Sequence, residues 1–65
     1  MKKFNQYKEE GYYIQKSFSG YWRLLRREED MTSTLIYDDP ANSDLFDMTE
    51  EEAEEFFAEY LNEEA

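Results

Sequence analysis

The chain has 65 residues with 17 Asp or Glu against 7 Lys or Arg, which gives a formal net charge of −10. This length accommodates one hydrophobic core, so we predict a single small domain over residues 1–65. The absence of Cys and His excludes disulfides, thiolate zinc sites and the commonest catalytic nucleophiles and bases, so we predict a protein that is not an enzyme and takes no cofactor.

The two halves of the chain carry opposite charge. Every Lys and Arg lies at or before Arg27, where only Glu9 and Glu10 oppose them and the net charge is +5. From Glu28 onward there are fifteen acids and no base. Solubility is the ordinary explanation of an acidic surface. A solvated helix usually mixes both signs, however, because opposite charges four residues apart stabilise it.

Residues 1–10 precede the first predicted strand and are mostly polar, with Phe4 and Tyr7 at a helical spacing. A short helix, an edge strand and a frayed arm all fit this composition. We expect a partly ordered lead-in to the folded domain.

Residues 12–17 and 21–27 are rich in strand-favouring side chains and predict a β-hairpin. The loop between them ends in Gly20, which suits a type I turn closed by a glycine bulge. The resulting register pairs Tyr12 with Arg26, Ile14 with Leu24 and Lys16 with Trp22 on the core face, and it lays the Lys16 ammonium over the indole. The other face would carry Tyr13, Gln15, Ser17, Tyr21, Arg23 and Leu25.

Residues 31–37 predict a third strand, which ends at Asp38-Asp39-Pro40 because proline cannot donate to a β-ladder. The three strands would form an antiparallel meander over residues 12–38. Residues 39–48 are expected to be a loop in which Leu45, Phe46 and Met48 form an apolar plug against the sheet edge.

Residues 49–64 predict an amphipathic helix. Thr49 and Glu52 form a capping-box pattern at its start. Apolar residues recur at helical spacing, which marks one inward-facing stripe made of Ala53, Phe56, Phe57, Tyr60 and Leu61. The predicted fold is therefore α+β, a β-β-β-α meander with one C-terminal amphipathic helix packed on one face.

The loop before this helix is rich in oxygen donors, which raises the question of a calcium site. Counted from Asp39, the twelfth residue is Glu50, as in an EF-hand loop, but the sixth is Asp44 and the required glycine is missing. We interpret the segment as turns closed by Asx side chains, and we predict no metal site.

The inward stripe leaves most of the helix glutamates facing solvent, joined by aspartates of the preceding loop. A one-sign array on a rigid helix suits a basic surface of a partner protein, above all one that binds nucleic acid. The predicted partner-binding residues are Glu51, Glu54, Glu55, Glu59, Glu63, Asp38, Asp39, Asp44 and Asp47.

In size, acidity and lack of catalytic side chains, the chain resembles the small nucleic-acid mimics encoded by phages and mobile elements. These include anti-restriction proteins, anti-CRISPR proteins and uracil-DNA glycosylase inhibitors. The likeness is one of composition over the whole chain and includes no shared motif. It implies a non-enzymatic, DNA-mimic-type inhibitor with an anti-defence role.

The alternative interpretation is a small structural or assembly module, able to form a homodimer through an aromatic sheet face. The residues of this alternative interface would be Tyr13, Tyr21, Arg23 and Leu25, with both tyrosines and Leu25 exposed. Aromatic and Arg side chains on a sheet also suit single-stranded nucleic acid. A net charge of −10 opposes the approach of phosphates, so we predict no direct nucleic-acid binding.

No segment has the pattern of a signal peptide or a membrane span, since Lys2 and Lys3 are followed by Phe4-Asn5-Gln6-Tyr7 rather than an apolar run. We therefore expect a cytoplasmic protein, in the host cytoplasm if a phage encodes it, with no membrane partner.

Overall fold

The structure is a computed structural model that describes residues 1–64. Its elements are α1 (Phe4–Lys8), β1 (Tyr12–Lys16), β2 (Trp22–Arg27), β3 (Ser33–Tyr37), α2 (Asp44–Asp47) and α3 (Glu50–Glu64). The strands form one antiparallel sheet in the order β1-β2-β3, and α3 packs against it. The predicted α+β meander with a C-terminal helix is confirmed.

The β1–β2 hairpin has the predicted register. Ile14 lies opposite Leu24, and Lys16 lies opposite Trp22 with its ammonium 5.5 Å from the indole centroid. Gly20 has a φ of +102° and donates its N–H to the Ser17 carbonyl, so the turn needs the positive φ that glycine adopts without steric cost.

Gly11 allows the chain to approach the end of β2 closely. Its carbonyl accepts the Arg27 N–H at 2.9 Å, and its φ is +102°. A Cβ atom at this position would lie 2.7 Å from the Arg27 carbonyl oxygen, closer than real Cβ contacts. Gly11 therefore sets the angle at which the chain passes from α1 into β1.

The pairing of β2 with β3 contains a β-bulge. Leu24 pairs with Tyr37 and Leu25 pairs with Leu35, so Ile36 is an extra residue on β3. Ile36 and Tyr37 are consecutive, yet both pack against the core. The bulge thus adds a second apolar side chain from β3 to the buried face.

β3 begins at Ser33 rather than at Met31, because residues 28–32 form a longer turn than predicted. The Glu28 N–H bonds to the Thr32 carbonyl, and the Asp30 carboxylate accepts both the hydroxyl and the N–H of Thr32. These hydrogen bonds, led by that from the hydroxyl, lower the pKa of Asp30.

The same turn holds Met31 at a φ of +70°, a left-handed conformation that is strained for a side chain of this size. Met31 is 88% exposed and so contributes little packing. We expect Met31→Gly to raise the free energy of unfolding by about 0.5–1 kcal/mol in urea titrations. The control is Thr32→Gly in the same turn, where φ is not positive and glycine should destabilise; a loss of stability in Met31→Gly would contradict the expectation.

The core lies between the sheet and α3. Leu24, Leu45 and Phe57 are the largest fully buried side chains. Tyr37 connects the two layers, with its ring in edge contact with the rings of Phe56, Phe57 and Tyr60 at centroid distances of 5.8, 5.4 and 5.0 Å. The predicted stripe is therefore the inward face of α3, with Ala53, Phe57 and Leu61 buried and Phe56 and Tyr60 half-buried.

The capping box at the start of α3 is formed as predicted. The Thr49 N–H bonds to the Glu52 carboxylate at 2.9 Å, and the Glu52 N–H bonds to the Thr49 hydroxyl at 3.2 Å. Two donors that the first turn would leave unpaired are satisfied, which fixes where the helix begins.

Two segments are more ordered than expected. The predicted lead-in, residues 1–10, contains α1, whose Phe4 and Tyr7 are buried because an aromatic pair at helical spacing can cover the side of α3. The predicted loop, residues 39–48, contains the short α2, which buries Leu45 as the centre of the predicted plug.

Candidate functional site

The candidate site is an acidic face formed by five glutamates of α3: Glu51, Glu54, Glu55, Glu59 and Glu63. Four of them are exposed and Glu54 is half-buried, because burial of the apolar stripe turns the rest of the helix outward. Glutamates four residues apart on a helix are about 6 Å apart along its axis. The fold therefore holds these carboxylates in a regular row on a packed helix.

Four of these glutamates share a groove between α1 and α3. The groove has a volume of about 420 Å³, and its walls include Glu51, Glu54, Glu55 and Glu59. Lys2 and Lys3 also line it, and they reduce the negative potential on the α1 side. Glu63 and the four predicted aspartates of the 38–47 segment lie outside the groove.

Three of the four predicted aspartates Asp38, Asp39, Asp44 and Asp47, which we call the loop acids, take part in hydrogen bonds that involve a side chain: Asp38, Asp39 and Asp44. Asp38 accepts the hydroxyl of Tyr21, and the Asp39 carboxylate accepts the Ala41 N–H at 3.1 Å. Asp39 is half-buried and the other three are exposed. The predicted Asx turns are confirmed at two positions. The Asp39 side chain accepts the Ala41 N–H, and the Asn42 side chain accepts the Asp44 N–H.

Intramolecular ion pairs decide whether this charge is available to a partner. Within residues 1–64 the ion pairs are Lys2–Glu10 at 2.7 Å, Lys8–Glu54 at 2.9 Å and Arg26–Glu28 at 3.6 Å. Of the nine predicted acids, only Glu54 is paired with a cation of the described chain. Residues 1–64 bring together no group of three or more side chains suited to a metal ion.

The other surface of interest is the face of the sheet that α3 does not cover, called here the open sheet face. Its centre is a row across the three strands, in which Leu25 pairs with Tyr13 on one side and Leu35 on the other. Leu35 is 46% exposed and was not among the residues predicted for this face. The residues of this face are Tyr13, Gln15, Arg23, Leu25, Arg27 and Leu35.

The arginines of the open sheet face contact neutral groups. Arg23 donates to the Gln15 side chain at 2.6 Å, and its Nε atom is buried without a hydrogen-bond partner. The Arg27 guanidinium lies 5.1 Å from the centroid of the Tyr13 ring. The Tyr13 hydroxyl donates to Ser33 at 2.8 Å, which fixes the ring between strands β1 and β3.

The prediction that Tyr13, Tyr21 and Leu25 are exposed on this face is wrong, since Tyr13 and Leu25 are half-buried. Tyr21 is buried, because β2 begins at Trp22 and the preceding residue turns toward α2, where its ring lies 5.3 Å from that of Phe46. Its hydroxyl donates to Asp38 at 2.5 Å. The hydrogen bond to this carboxylate, followed by burial, raises the pKa of Tyr21.

This hydrogen bond predicts a pH dependence of stability. Because the pKa of Tyr21 is higher in the folded chain, its contribution is complete below about pH 10, the pKa of an unfolded tyrosine, and is lost as pH rises through the folded pKa. The difference in unfolding free energy between wild type and Tyr21→Phe should therefore shrink from pH 8 to about pH 11 in urea titrations. Tyr13→Phe, which removes a hydroxyl bonded to Ser33 instead, is the control; a constant Tyr21 difference would contradict the expectation.

Comparison with protein-family models, curated proteins and solved structures finds no match for this chain. No helix within residues 1–64 is both long enough and apolar enough to cross a membrane.

Proposed function

We propose that the protein binds a basic, nucleic-acid-binding surface of a partner protein through its acidic face and blocks that surface. The observation that carries this proposal is the near absence of internal neutralisation: Glu54 is the only one of the nine predicted acids that is paired with a cation of residues 1–64. The other eight carboxylates form no ion pair within residues 1–64, which leaves them free to pair with cations of a partner.

The spacing and rigidity of the acidic face support the same proposal. Carboxylates recur about every 6 Å along the axis of α3, and a DNA strand carries one phosphate per ~3.4 Å of rise, a comparable scale. Packing of Phe57 and Leu61 against the core holds the helix in place, so little order is lost on binding. A groove shaped for nucleic acid would meet a preorganised array of negative charge.

The cost of this arrangement argues against a purely solvating role. Repulsion within a one-sign surface destabilises the fold, and the last turn of α3 carries acids at the end where the helix dipole favours cations. Alternating Lys and Glu on the exposed side of α3 would give greater helix stability. A partner that needs the charge is the physical reason we infer for keeping it.

The test is affinity capture of partners from host cells, eluted with a salt gradient. We expect the partner to be a basic protein whose release occurs steeply with added salt, and to be lost with Glu51→Gln, Glu55→Gln, Glu59→Gln and Glu63→Gln combined. Circular dichroism must show that the variant is folded. Retained affinity in the folded variant would refute the role of the acidic face.

A matched pair of variants separates position from total charge. Two double variants change the net charge by the same amount: Glu55→Gln/Glu59→Gln and Glu9→Gln/Glu29→Gln. All four residues are exposed. Only the first pair lies on the acidic face. We expect only the Glu55→Gln/Glu59→Gln variant to lose affinity for the partner, by tenfold or more, where each factor of ten corresponds to about 1.4 kcal/mol. Equal losses of affinity in both variants would indicate a general effect of net charge without a defined site.

A further inference from the structure

The open sheet face differs in charge from the rest of this acidic molecule. None of its six residues is acidic, and it carries Arg23 and Arg27 on either side of Leu25 along β2. Neither arginine forms an ion pair with any carboxylate of residues 1–64, although the chain contains 17. The face is therefore a small cationic surface with an apolar centre and no ion-paired carboxylate from residues 1–64.

We propose that the open sheet face binds the acidic face of a second copy, so that copies associate head to tail. Each copy carries the complementary surfaces on opposite sides of the sheet, with the arginines on one side and the glutamates of α3 on the other. Arg23 and Arg27 are four residues apart on a strand, or about 13 Å. Glu55 and Glu63 are eight residues apart on a helix, or about 12 Å, so both arginines can meet a carboxylate.

A symmetric dimer that joins two open sheet faces is the less favourable arrangement. It would bring Arg23 and Arg27 of both copies into one interface that contains no carboxylate. Burial of unpaired guanidinium groups is strongly unfavourable, because the lost hydration is not replaced by an opposite charge. The sheet face alone therefore does not complement itself, whereas α3 of another copy supplies the missing acids.

Repulsion between two molecules of net charge −10 opposes association, but it acts over a limited range. At 0.15 M salt, charges more than about 8 Å apart are largely screened. The shortest dimension of the molecule is 18 Å, so most charges of one copy lie beyond this distance from most charges of the next. Local Arg–Glu pairs and the covered Leu25 and Leu35 side chains then determine the contact.

Head-to-tail contacts have a functional consequence, because they use the same glutamates as the proposed partner. Self-association would mask the acidic face at high concentration, and a basic partner would release single copies. Self-association does not depend on the partner: Arg23→Gln with Arg27→Gln should abolish it while leaving partner capture unchanged. The two proposals can therefore fail separately.

The experiment measures mass by sedimentation equilibrium at 0.15 M salt over a range of protein concentrations. We expect the weight-average mass to rise above that of the 8.0 kDa monomer. Association should be lost in the Arg23→Gln/Arg27→Gln variant and in the Glu55→Gln/Glu59→Gln/Glu63→Gln variant. Lys16→Gln with Arg26→Gln is the matched control, since both residues are exposed and lie outside the groove and the open sheet face; this variant loses the same positive charge and should still associate.

Mixing the two inactive variants is the decisive step. Each retains one intact surface, so an equimolar mixture should form a 1:1 heterodimer and nothing larger. Circular dichroism confirms that both variants are folded. Three outcomes would each overturn the proposal. The wild type could stay monomeric, or the mixture could form no heterodimer. The glutamate variant could also still dimerise, as expected of a symmetric dimer that joins two open sheet faces.

Discussion

Phe57→Ala is expected to leave most of the protein unfolded at 25 °C. Phe57 is fully buried and its ring contacts those of Tyr37 and Phe56 at centroid distances of 5.4 and 5.2 Å. Truncation of a buried phenylalanine costs about 3–5 kcal/mol through lost burial and the cavity that remains. A domain of this size has a total stability of about 3–5 kcal/mol, so one such loss consumes nearly all of it.

The same substitution at Phe18 is the control. Phe18 lies at the tip of the β1–β2 turn and is fully exposed, so Phe18→Ala should change stability by less than about 0.5 kcal/mol. Circular dichroism and urea titration measure both variants. If Phe57→Ala remained folded with a stability near that of the wild type, the core would not depend on the contact between α3 and β3.

The second large effect is a rise in stability with salt. Of 17 carboxylates, three form ion pairs within residues 1–64, which leaves fourteen. Like charges four residues apart destabilise a helix by about 0.2–0.5 kcal/mol per pair. α3 contains four such pairs: Glu50/Glu54, Glu51/Glu55, Glu55/Glu59 and Glu59/Glu63. Screening of their repulsion would therefore raise the free energy of unfolding by about 1–2 kcal/mol in total.

Thermal unfolding should show this relief directly. Between about 0.01 and 0.5 M salt we expect the Tm to rise by about 4–16 °C, because screening weakens the repulsion. The variant with Gln at positions 51, 55, 59 and 63 should be more stable than the wild type at low salt and should respond less to added salt. An equal response in both proteins would place the repulsion elsewhere than on the acidic face.

The parts of the fold that the sequence predicts well are those fixed by local chemistry. Gly20 suits the three-residue loop, and a two-residue loop would place Lys16 opposite Arg23, a like-charge pair that costs stability; together these determine the hairpin register. Thr49 with Glu52 determines the start of α3. α1 and the bulge at Ile36 depend on packing between distant segments. The sequence of residues 1–10 has no local signal that distinguishes a helix from a frayed arm. The sequence of β3 likewise has no local signal that indicates the bulge.

The candidate site divides in the same way. Outward placement of the α3 glutamates follows from the apolar stripe alone, so it could be predicted from periodicity. The burial of Tyr21 could not, since its position depends on where β2 begins and on contacts with Phe46 and Asp38. Leu35 was missed because alternation in β3 is interrupted by the bulge, which changes which residues share a face.

The contact between α1 and α3 determines the order in which the protein can assemble during synthesis. The Asn62 side chain donates to the Lys2 carbonyl at 3.0 Å and accepts the hydroxyl of Tyr7, across sequence separations of 60 and 55 residues. α1 leaves the ribosome well before α3, so while the sheet is forming α1 can contact β1 but lacks the α3 side of its docking surface. Phe4 and Tyr7 therefore reach full burial only when α3 is present, and until then the nascent chain exposes apolar surface that favours aggregation.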